Sequence, residues 1–439
     1  MAARSKKLYV YRQTPLTGEW EPVGLFEDNA KEGSGSFTYL ESYANSGEAQ
    51  SIDPVNLPIQ PGAQKPYLVA RYGGLHDVLR DSSPDGWGQY LLCEFMGVKQ
   101  NATDLEFFLH SRNADRWGAL AFGTDITAPN RLQLNPTPPS IDLMIGELAA
   151  MEEGRPAVDQ KLRNRLQQCS LGGARPKASL QDQDGVCWIV KPRPLHDYEE
   201  TPVIEYFCQS WASLVGIRAA ETKLFSTPQG KHAALVKRFD RVNGLHQMCL
   251  SAASIMEYDY PGPPIKGALP PSYPHLASRL HDIGVPTIDR QELFTRMVFN
   301  ALCGNDDDHT RNHAIVFCPK EGIWRLSPAY DIVPGYYDKV QYLSMGTTLS
   351  DKAISRENFL ANFMYFGFDS NATAAQRLEE ITVLAREAFR EVSSVLSEST
   401  KSMATAQLDY ICAILDAEPN QKQPDRGKKC DPKQGPRSF

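Results

Sequence analysis

No stretch of this 439-residue chain approaches the roughly eighteen consecutive apolar residues of a membrane span, so the sequence predicts no transmembrane helix. The opening residues, Met1-Ala-Ala-Arg-Ser-Lys-Lys, carry some positive charge but lack the apolar core of a secretory leader. Cysteine shows no pattern. There are nine, an odd number, scattered and without a C-x-x-C pair, which fits a reduced cytoplasmic setting better than a disulfide framework or a zinc knuckle. Excess positive charge is also missing. A formal net charge of −7 argues against a protein that coats nucleic acid by bulk charge. There is no internal repeat, and GxxxxGK[ST], GxGxxG and HExxH are all absent. What remains is an ordinary globular composition, 41% hydrophobic and 23% charged, in a chain long enough for roughly two or three domains with sizeable cores.

The pattern along the chain predicts five parts. Residues 1–128 form an α+β module. Its strands are Lys7–Arg12, Val23–Phe26 and Ser36–Leu40, and a helix over Trp87–Met96 is opened by Asp81-Ser-Ser-Pro-Asp-Gly86. A proline-rich linker follows at 129–140. Residues 141–240 make a nucleotide-binding lobe, starting with an amphipathic helix at Ile141–Glu153. Residues 241–418 make a helical lobe, mainly helical from about 289. It includes a proline-rich loop over Pro261–Pro274 and an amphipathic helix over Arg377–Leu396, with Leu378, Ile381, Ala385, Ala388, Phe389 and Val392 on one face. The tail from 419 to 439 has Pro and Gly breaks, clustered Lys and Arg and no periodicity, the composition of a disordered segment.

The most informative stretch is Gly304-Asn-Asp-Asp-Asp-His-Thr-Arg-Asn312, with Tyr330-Asp331-Ile332 beyond it. It supplies Asp307, an Asn five residues on, and a second Asp after an apolar run. Phosphoryl transfer from ATP uses these three groups: a carboxylate for the attacking hydroxyl, plus an amide oxygen and a carboxylate for Mg²⁺. The kinase catalytic loop has the same Asp-to-Asn spacing. Asp307 is accordingly read as the catalytic base or orienting residue, and Asn312 and Asp331 as the metal ligands. An acidic surface turn is the competing reading. The flanks favour the first: Leu293–Cys303 reads as a buried helix delivering the turn, and Ala314–Phe317 and Trp324–Leu326 read as a hairpin returning Asp331 beside Asp307.

A kinase also needs a phosphate-cradling loop and a cation. Ser170-Leu-Gly-Gly-Ala-Arg-Pro-Lys177 is a small-residue turn leading into a hairpin, whose second strand, Val186–Lys191, ends at Lys191. Gly172 and Gly173 would let backbone N–H groups approach phosphate. Glu205, fourteen residues after Lys191 and on a predicted helix over Val203–Val215, is placed to pair with it. A Gly-Gly hairpin entrance is more often structural; the order of loop, Lys and helix Glu is what supports the functional reading. The strand His232–Lys237, running into Arg238-Phe239-Asp240-Arg241, falls where a hinge would offer backbone groups to adenine, although a plain strand ending in a charged turn fits these residues as well.

Taken in order, the SLGGARPK loop, the strand ending at Lys191, VKRFDR, GNDDDHTRN and SPAYDI resemble the HipA-like serine/threonine kinases, toxins of bacterial HipBA-type toxin–antitoxin pairs. The resemblance covers most of the chain, with a weaker echo in Asp81–Trp87. It implies an α+β, protein-kinase-like two-lobed fold with a mostly helical C-terminal lobe, using ATP and Mg²⁺. It implies that Asp307 is catalytic, that Asn312 and Asp331 bind the metal, and that Lys191 contacts ATP. Nucleotide contacts are expected from Ser170, Gly172, Gly173, Ala174, Lys177, Glu205, Lys237 and Phe239. Ser170 falls where family members can carry an inhibitory autophosphorylation. The implied partners are a protein substrate such as an aminoacyl-tRNA synthetase or other translation factor, and a small helix-turn-helix antitoxin of HipB type, with DNA reached only through the antitoxin.

The sequence departs from the family pattern in places. Asp308 stands where Gly is frequent, Asp306 adds a further carboxylate, and Lys237 occupies a position that is often acidic. Three alternatives stay open. His309 and His313, four apart, fit a metal site if they share a helix face; His309 is otherwise expected to fix the catalytic loop by hydrogen bonding. A small-molecule phosphotransferase would use the same Asp/Asn/Asp logic, but usually places His two residues before the Asp rather than after it. The third is a catalytically silent module that binds an antitoxin or joins its DNA complex.

Overall fold

The computed structural model describes residues 6–417 apart from 16, 30–31, 129–139, 199, 259–268 and 337. Most of the expected linker, most of the 261–274 loop and the 419–439 tail lie outside the described residues.

The N-terminal module is built on a five-stranded antiparallel sheet in the order β4-β3-β2-β1-β5. The strands are β1 (Lys7–Gln13), β2 (Trp20–Asn29), β3 (Ser34–Tyr39), β4 (Tyr67–Val69) and β5 (Leu120–Gly123). Side chains alternate across such a sheet, so Phe37 and Tyr39 of β3 enter the core while Ser36 and Thr38 do not. The helix Gly86–Met96 starts one residue before the predicted boundary. A capping box joins Thr103 and Glu106 at the start of Asp104–His110.

The second unit carries a four-stranded antiparallel sheet, β6-β7-β9-β8, with β6 Ala178–Gln181, β7 Cys187–Pro192, β8 Thr222–Ser226 and β9 His232–Lys237. Leu148 of the Ile141–Glu152 helix and Leu162 and Leu166 of the Gln160–Leu166 helix share one core with Trp188, Val190 and Leu235 of the sheet. Trp87 and Leu91 of the N-terminal module join that core, so the module is packed into this lobe. The helix Thr201–Leu214 faces the other way: Trp211 packs on Phe299 and Phe389, and its indole N–H donates to Ala385 O at 2.8 Å.

A short ribbon, β10 (Arg241–Val242) and β11 (Leu245–His246), leads into the helical lobe. There β12 (Cys249–Ser251), β13 (Ala314–Cys318) and β14 (Ile323–Leu326) form a three-stranded antiparallel sheet. The helix Thr287–Cys303 is buried along most of its length, and Asn371–Val392 and Glu398–Asp416 pack against it. Asn371–Val392 begins six residues earlier than its apolar periodicity indicates, because Ser370 caps a first turn of small residues in which only Ala374 is buried. It ends at Val392, where Ser393–Val395 tightens into a 3-10 turn. The stretch after 289 is helical in separate pieces, divided by β13, β14 and the irregular chain before Arg356. Among the described residues no helix is long and apolar enough to cross a membrane.

Candidate active site

The helix Thr287–Cys303 stops at Gly304, whose φ of 79° suits glycine at a helix end. Asn305 N–H then bonds back to Asn300 O at 2.8 Å, and residues Thr310–Asn312 form one 3-10 turn before β13. His309 opens that turn: its Nδ1 accepts the Arg311 N–H at 3.2 Å, while Nε2 lies 3.8 Å from Asp307 Oδ1. Asn312 Nδ2 donates to the Asp307 carbonyl at 2.7 Å. Asp307, His309 and Asn312 are thus locked together by local bonds. The Asp307 side chain is 71% exposed. Partial burial raises its carboxyl above the ordinary range, with His309 opposing and Asp331 reinforcing, although water screens much of this.

Asp331 arrives from the β13–β14 hairpin. The segment before it is held to the other lobe by Ala220 N–H to Ala329 O at 2.8 Å and Ala329 N–H to Arg218 O at 2.7 Å. Asp331 itself sits at φ 59°, a left-handed conformation that Asp tolerates better than most side chains. Its Oδ1 is 2.8 Å from Lys191 Nζ, which is also 2.5 Å from Glu205 Oε1. Burial would push the Asp331 carboxyl up, but Lys191, with Lys177 and Arg175 behind it, holds it well below the usual carboxylate range. Burial alone would lower Lys191; Asp331 and Glu205 instead hold it above its ordinary value, so it stays charged. The expected Lys–Glu pair is present and extends to a second carboxylate, that of Asp331.

The 170–177 loop is more heavily engaged than its glycines indicate. Ser170 is fully buried and donates through Oγ to Arg112 O at 3.0 Å. Lys177 is buried, which lowers its pKa, and its Nζ donates to Gly172 O at 2.8 Å. The Gly173 N–H, expected to face phosphate, donates instead to the Asp85 carboxylate. A Cβ on Gly173, at φ 91°, would stand 2.1 Å from Lys177 Nζ. Gly172 and Ala174 are the exposed positions of the loop.

At the end of β9, Lys237 turns outward and pairs with Glu221 at 2.8 Å. Phe239 lies against Tyr330, with ring centroids 5.3 Å apart. Its neighbours Arg238, Asp240 and Arg241 form a buried charged cluster whose donors reach Asp115 O, Arg116 O and Gly118 O of the N-terminal module.

Residues 169–398 match the HipA-like C-terminal domain family, which is more than half of the chain. The chain belongs to the HipA-like family. The curated protein named "Putative kinase Y4dM", from Sinorhizobium fredii (strain NBRC 101917 / NGR234), is 30% identical over 166 residues. That match takes in 34% of this chain and 37% of the relative, so the chain spans little more than a third of the curated protein it matches. Among solved structures, HipA of Shewanella oneidensis MR-1, from a complex with HipB and operator DNA, superposes with a TM-score of 0.67 over 92% of this chain and 96% of that one, at 18% identity. The two proteins share a protein-kinase-like two-lobed fold of HipA type. The Helicobacter pylori proinflammatory kinase CtkA gives a TM-score of 0.41 at 16% identity, over 54% of this chain and 90% of that one.

In this HipA-like chain the two additional acids of the loop take different places. Asp306 is exposed, whereas Asp308 is 1% exposed and turned inward. It accepts Tyr273 Oη–H and Ser344 N–H, each at 2.6 Å. Asp308 therefore anchors the loop from below, together with Asn300, whose amide donates to Tyr273 Oη at 2.9 Å. His313 is buried at the entry to β13 and shares no helix with His309. Among the described residues no group of three or more His, Cys, Asp or Glu side chains could hold a metal ion, which leaves the zinc alternative without a ligand set. The sequence reading missed Asp85 as a partner of Gly173. Its only signal was the Asp81–Trp87 motif, which local rules register as a helix opener.

Burial lifts the Asp308 carboxyl from 3.8 to about 7. A carboxyl with a raised native pKa contributes stability that is complete below its unfolded value and is lost as pH rises through 7. Between pH 5 and 8 the wild type should therefore lose about 2–3 kcal/mol more stability than Asp308→Asn. Chemical denaturation at the two pH values measures this, and identical slopes would show that Asp308 does not titrate there.

Proposed function

We propose that this HipA-like protein is an ATP- and Mg²⁺-dependent protein serine/threonine kinase, the toxin of a bacterial toxin–antitoxin pair. The observation that carries the reading is the joining of Asp307, His309 and Asn312 on one bonded turn with Asp331 tied to Lys191 and Glu205. The donor set suits magnesium: an ionised carboxylate on Asp331, and on Asn312 an amide whose nitrogen is committed to Asp307 O, leaving Oδ1 as its acceptor. When bound, the ion would neutralise charge on the β- and γ-phosphate oxygens.

Asp307, the most exposed of these groups, accepts a hydrogen bond from a Ser or Thr hydroxyl and takes its proton as the oxygen attacks the γ-phosphorus, while the bond from that phosphorus to the β–γ bridging oxygen breaks and ADP leaves. His309 and the Asn312 amide hold Asp307 in place. Lys191, kept cationic by its two carboxylates, faces the α/β-phosphates, and the exposed positions Gly172 and Ala174 border the nucleotide tail. Most of the rate enhancement comes from positioning and from charges set before the substrate arrives. Phe239 and the backbone after Lys237 border the adenine. Lys237, paired outward with Glu221, leaves adenine recognition to backbone groups.

The relative of known structure was solved with HipB and operator DNA. By analogy this chain is held in check by a small helix-turn-helix antitoxin and meets DNA through it. Its substrate is a translation-related protein such as an aminoacyl-tRNA synthetase, phosphorylated in the cytoplasm. Ser170 is the autophosphorylation site under this reading. Because its hydroxyl is buried on Arg112 O, the loop must leave its seat before Ser170 can be modified.

The test is incubation of purified protein with γ-labelled ATP and Mg²⁺ beside Asp307→Asn, with phosphopeptide mapping and intact mass. Label on Ser170 in the wild type alone is the expected result. A wild type unmodified by mass that transfers nothing, to itself or to added protein, overturns the assignment. Transfer to a small alcohol instead would favour the phosphotransferase alternative.

A further inference from the structure

The segment Asp81–Gly86 of the N-terminal module lies between the working loops of both lobes. At one end Asp81 is buried, and its carboxylate serves the helical lobe. It accepts Ser251 N–H at 2.8 Å, Ser251 Oγ–H at 2.7 Å and Ser254 Oγ–H at 2.8 Å, and Arg311 Nη1 lies 3.4 Å away. Arg311 belongs to the same turn as His309 and Asn312. In the middle, Arg116 Nη1 donates to Ser82 O at 2.9 Å. At the other end Asp85 accepts the Gly173 N–H, while Trp87 N–H donates to Gly173 O at 3.0 Å. One residue of the phosphate loop is thus held at both its donor and its acceptor.

The seat requires glycine on the module's side. A Cβ on Gly86 would stand 2.7 Å from Ala174 Cα, and one on Gly88 would stand 3.0 Å from Leu171 O and 2.6 Å from Pro84 Cβ. Backbone meets backbone here with no room for a side chain between them. Ser82 and Ser83 between the two acids are buried, so the segment is a packed connection, not a surface loop.

We propose that Asp81 and Asp85 are positioning residues: the N-terminal module seats the phosphate loop through Asp85 and registers it against the catalytic turn through Asp81. The two acids are four residues apart on one short, packed segment, so the grip on one loop is fixed relative to the grip on the other. This inference rests on the kinase reading for its catalytic consequence, but the seat itself is read without activity.

The experiment compares wild type with Asp85→Ala, Asp85→Asn and Asp85→Glu in the full chain, by hydrogen exchange over residues 170–177 and by the ATP KM and kcat. Asp85→Ala removes a charge-assisted hydrogen bond at a half-buried position; it should speed exchange of the loop at least about tenfold and raise the ATP KM about tenfold, with kcat changed much less. Asn keeps an acceptor at the same place and restores both. Glu carries the carboxylate one methylene further, cannot occupy the same seat, and behaves as Ala does, which keeps the test available if the alanine variant fails to fold. Unchanged loop exchange in Asp85→Ala overturns the inference. So does a fall in KM, the result expected if the Asp85 carboxylate merely stood where a phosphate goes. If the wild type transfers no phosphate, the kinase reading falls, and the exchange comparison alone decides the seat.

Discussion

Asp307→Asn should bind Mg·ATP with wild-type affinity and transfer phosphate about a thousandfold more slowly, or worse. The asparagine is nearly isosteric, and the bonds that shape the turn use the Asp307 carbonyl and the His309 ring, not the Asp307 carboxylate. On the proposed mechanism, only the acceptor of the substrate proton is lost. Loss of a general base costs roughly 10²- to 10⁴-fold. With 71% of the side chain in water, the substitution disturbs no packing, so an unchanged melting temperature is part of the expectation. Nucleotide affinity by calorimetry and transfer by a labelled-phosphate assay make the comparison. Residual transfer within about tenfold of wild type would remove Asp307 from the mechanism.

Asp331→Ala should fail at an earlier step. This residue is read as a ligand of the metal that carries the nucleotide phosphates, so its loss should weaken ATP binding in magnesium by at least about tenfold. Binding without magnesium should change much less. The variant should fold, because Lys191 keeps Glu205 as a partner at 2.5 Å. The converse substitution is more damaging to the fold. Lys191→Ala leaves Glu205, 3% exposed, and Asp331 without their shared cation; breaking such a buried pair from one side costs about 3–5 kcal/mol. Magnesium-dependent affinity that is equal in wild type and Asp331→Ala would count against the ligand role, whatever happens to activity.

Much of this architecture was legible in the chain because it depends on near neighbours. Alternating apolar residues at Ser36–Leu40, the helical spacing of Leu293–Cys303 and the hairpin whose second strand ends at Lys191 each report a backbone conformation set within a few residues. The Asp307–Asn312 turn is of the same kind. Asp307, His309 and Asn312 are joined by bonds spanning two to five residues, so their spacing is itself the geometry. Lys191 and Glu205 are fourteen residues apart, on a strand and the helix that follows it, and their pairing was readable because kinase chemistry calls for it.

Elsewhere the same rules misjudged a residue's work. Gly173 read as a glycine that opens a backbone amide to phosphate, and Asp85 as the start of a helix. Each description is locally sound, yet the amide and the carboxylate bind each other across 88 residues of chain. Asp308 read only as an acid standing where Gly is frequent, and is buried on Tyr273, 35 residues earlier. The VKRFDR segment, read as a hinge or as a plain strand ending in a charged turn, also holds the N-terminal module, its Arg238 reaching across more than 120 residues. The sequence by itself determined many of the elements, the Asp307–Asn312 turn and the order of the candidate site's parts, because these follow from torsions and spacings within one or two elements. The tertiary structure alone decided which polar groups are already taken: pairing over 88 to 230 residues depends on which surfaces the cores bring together, and no local pattern encodes that.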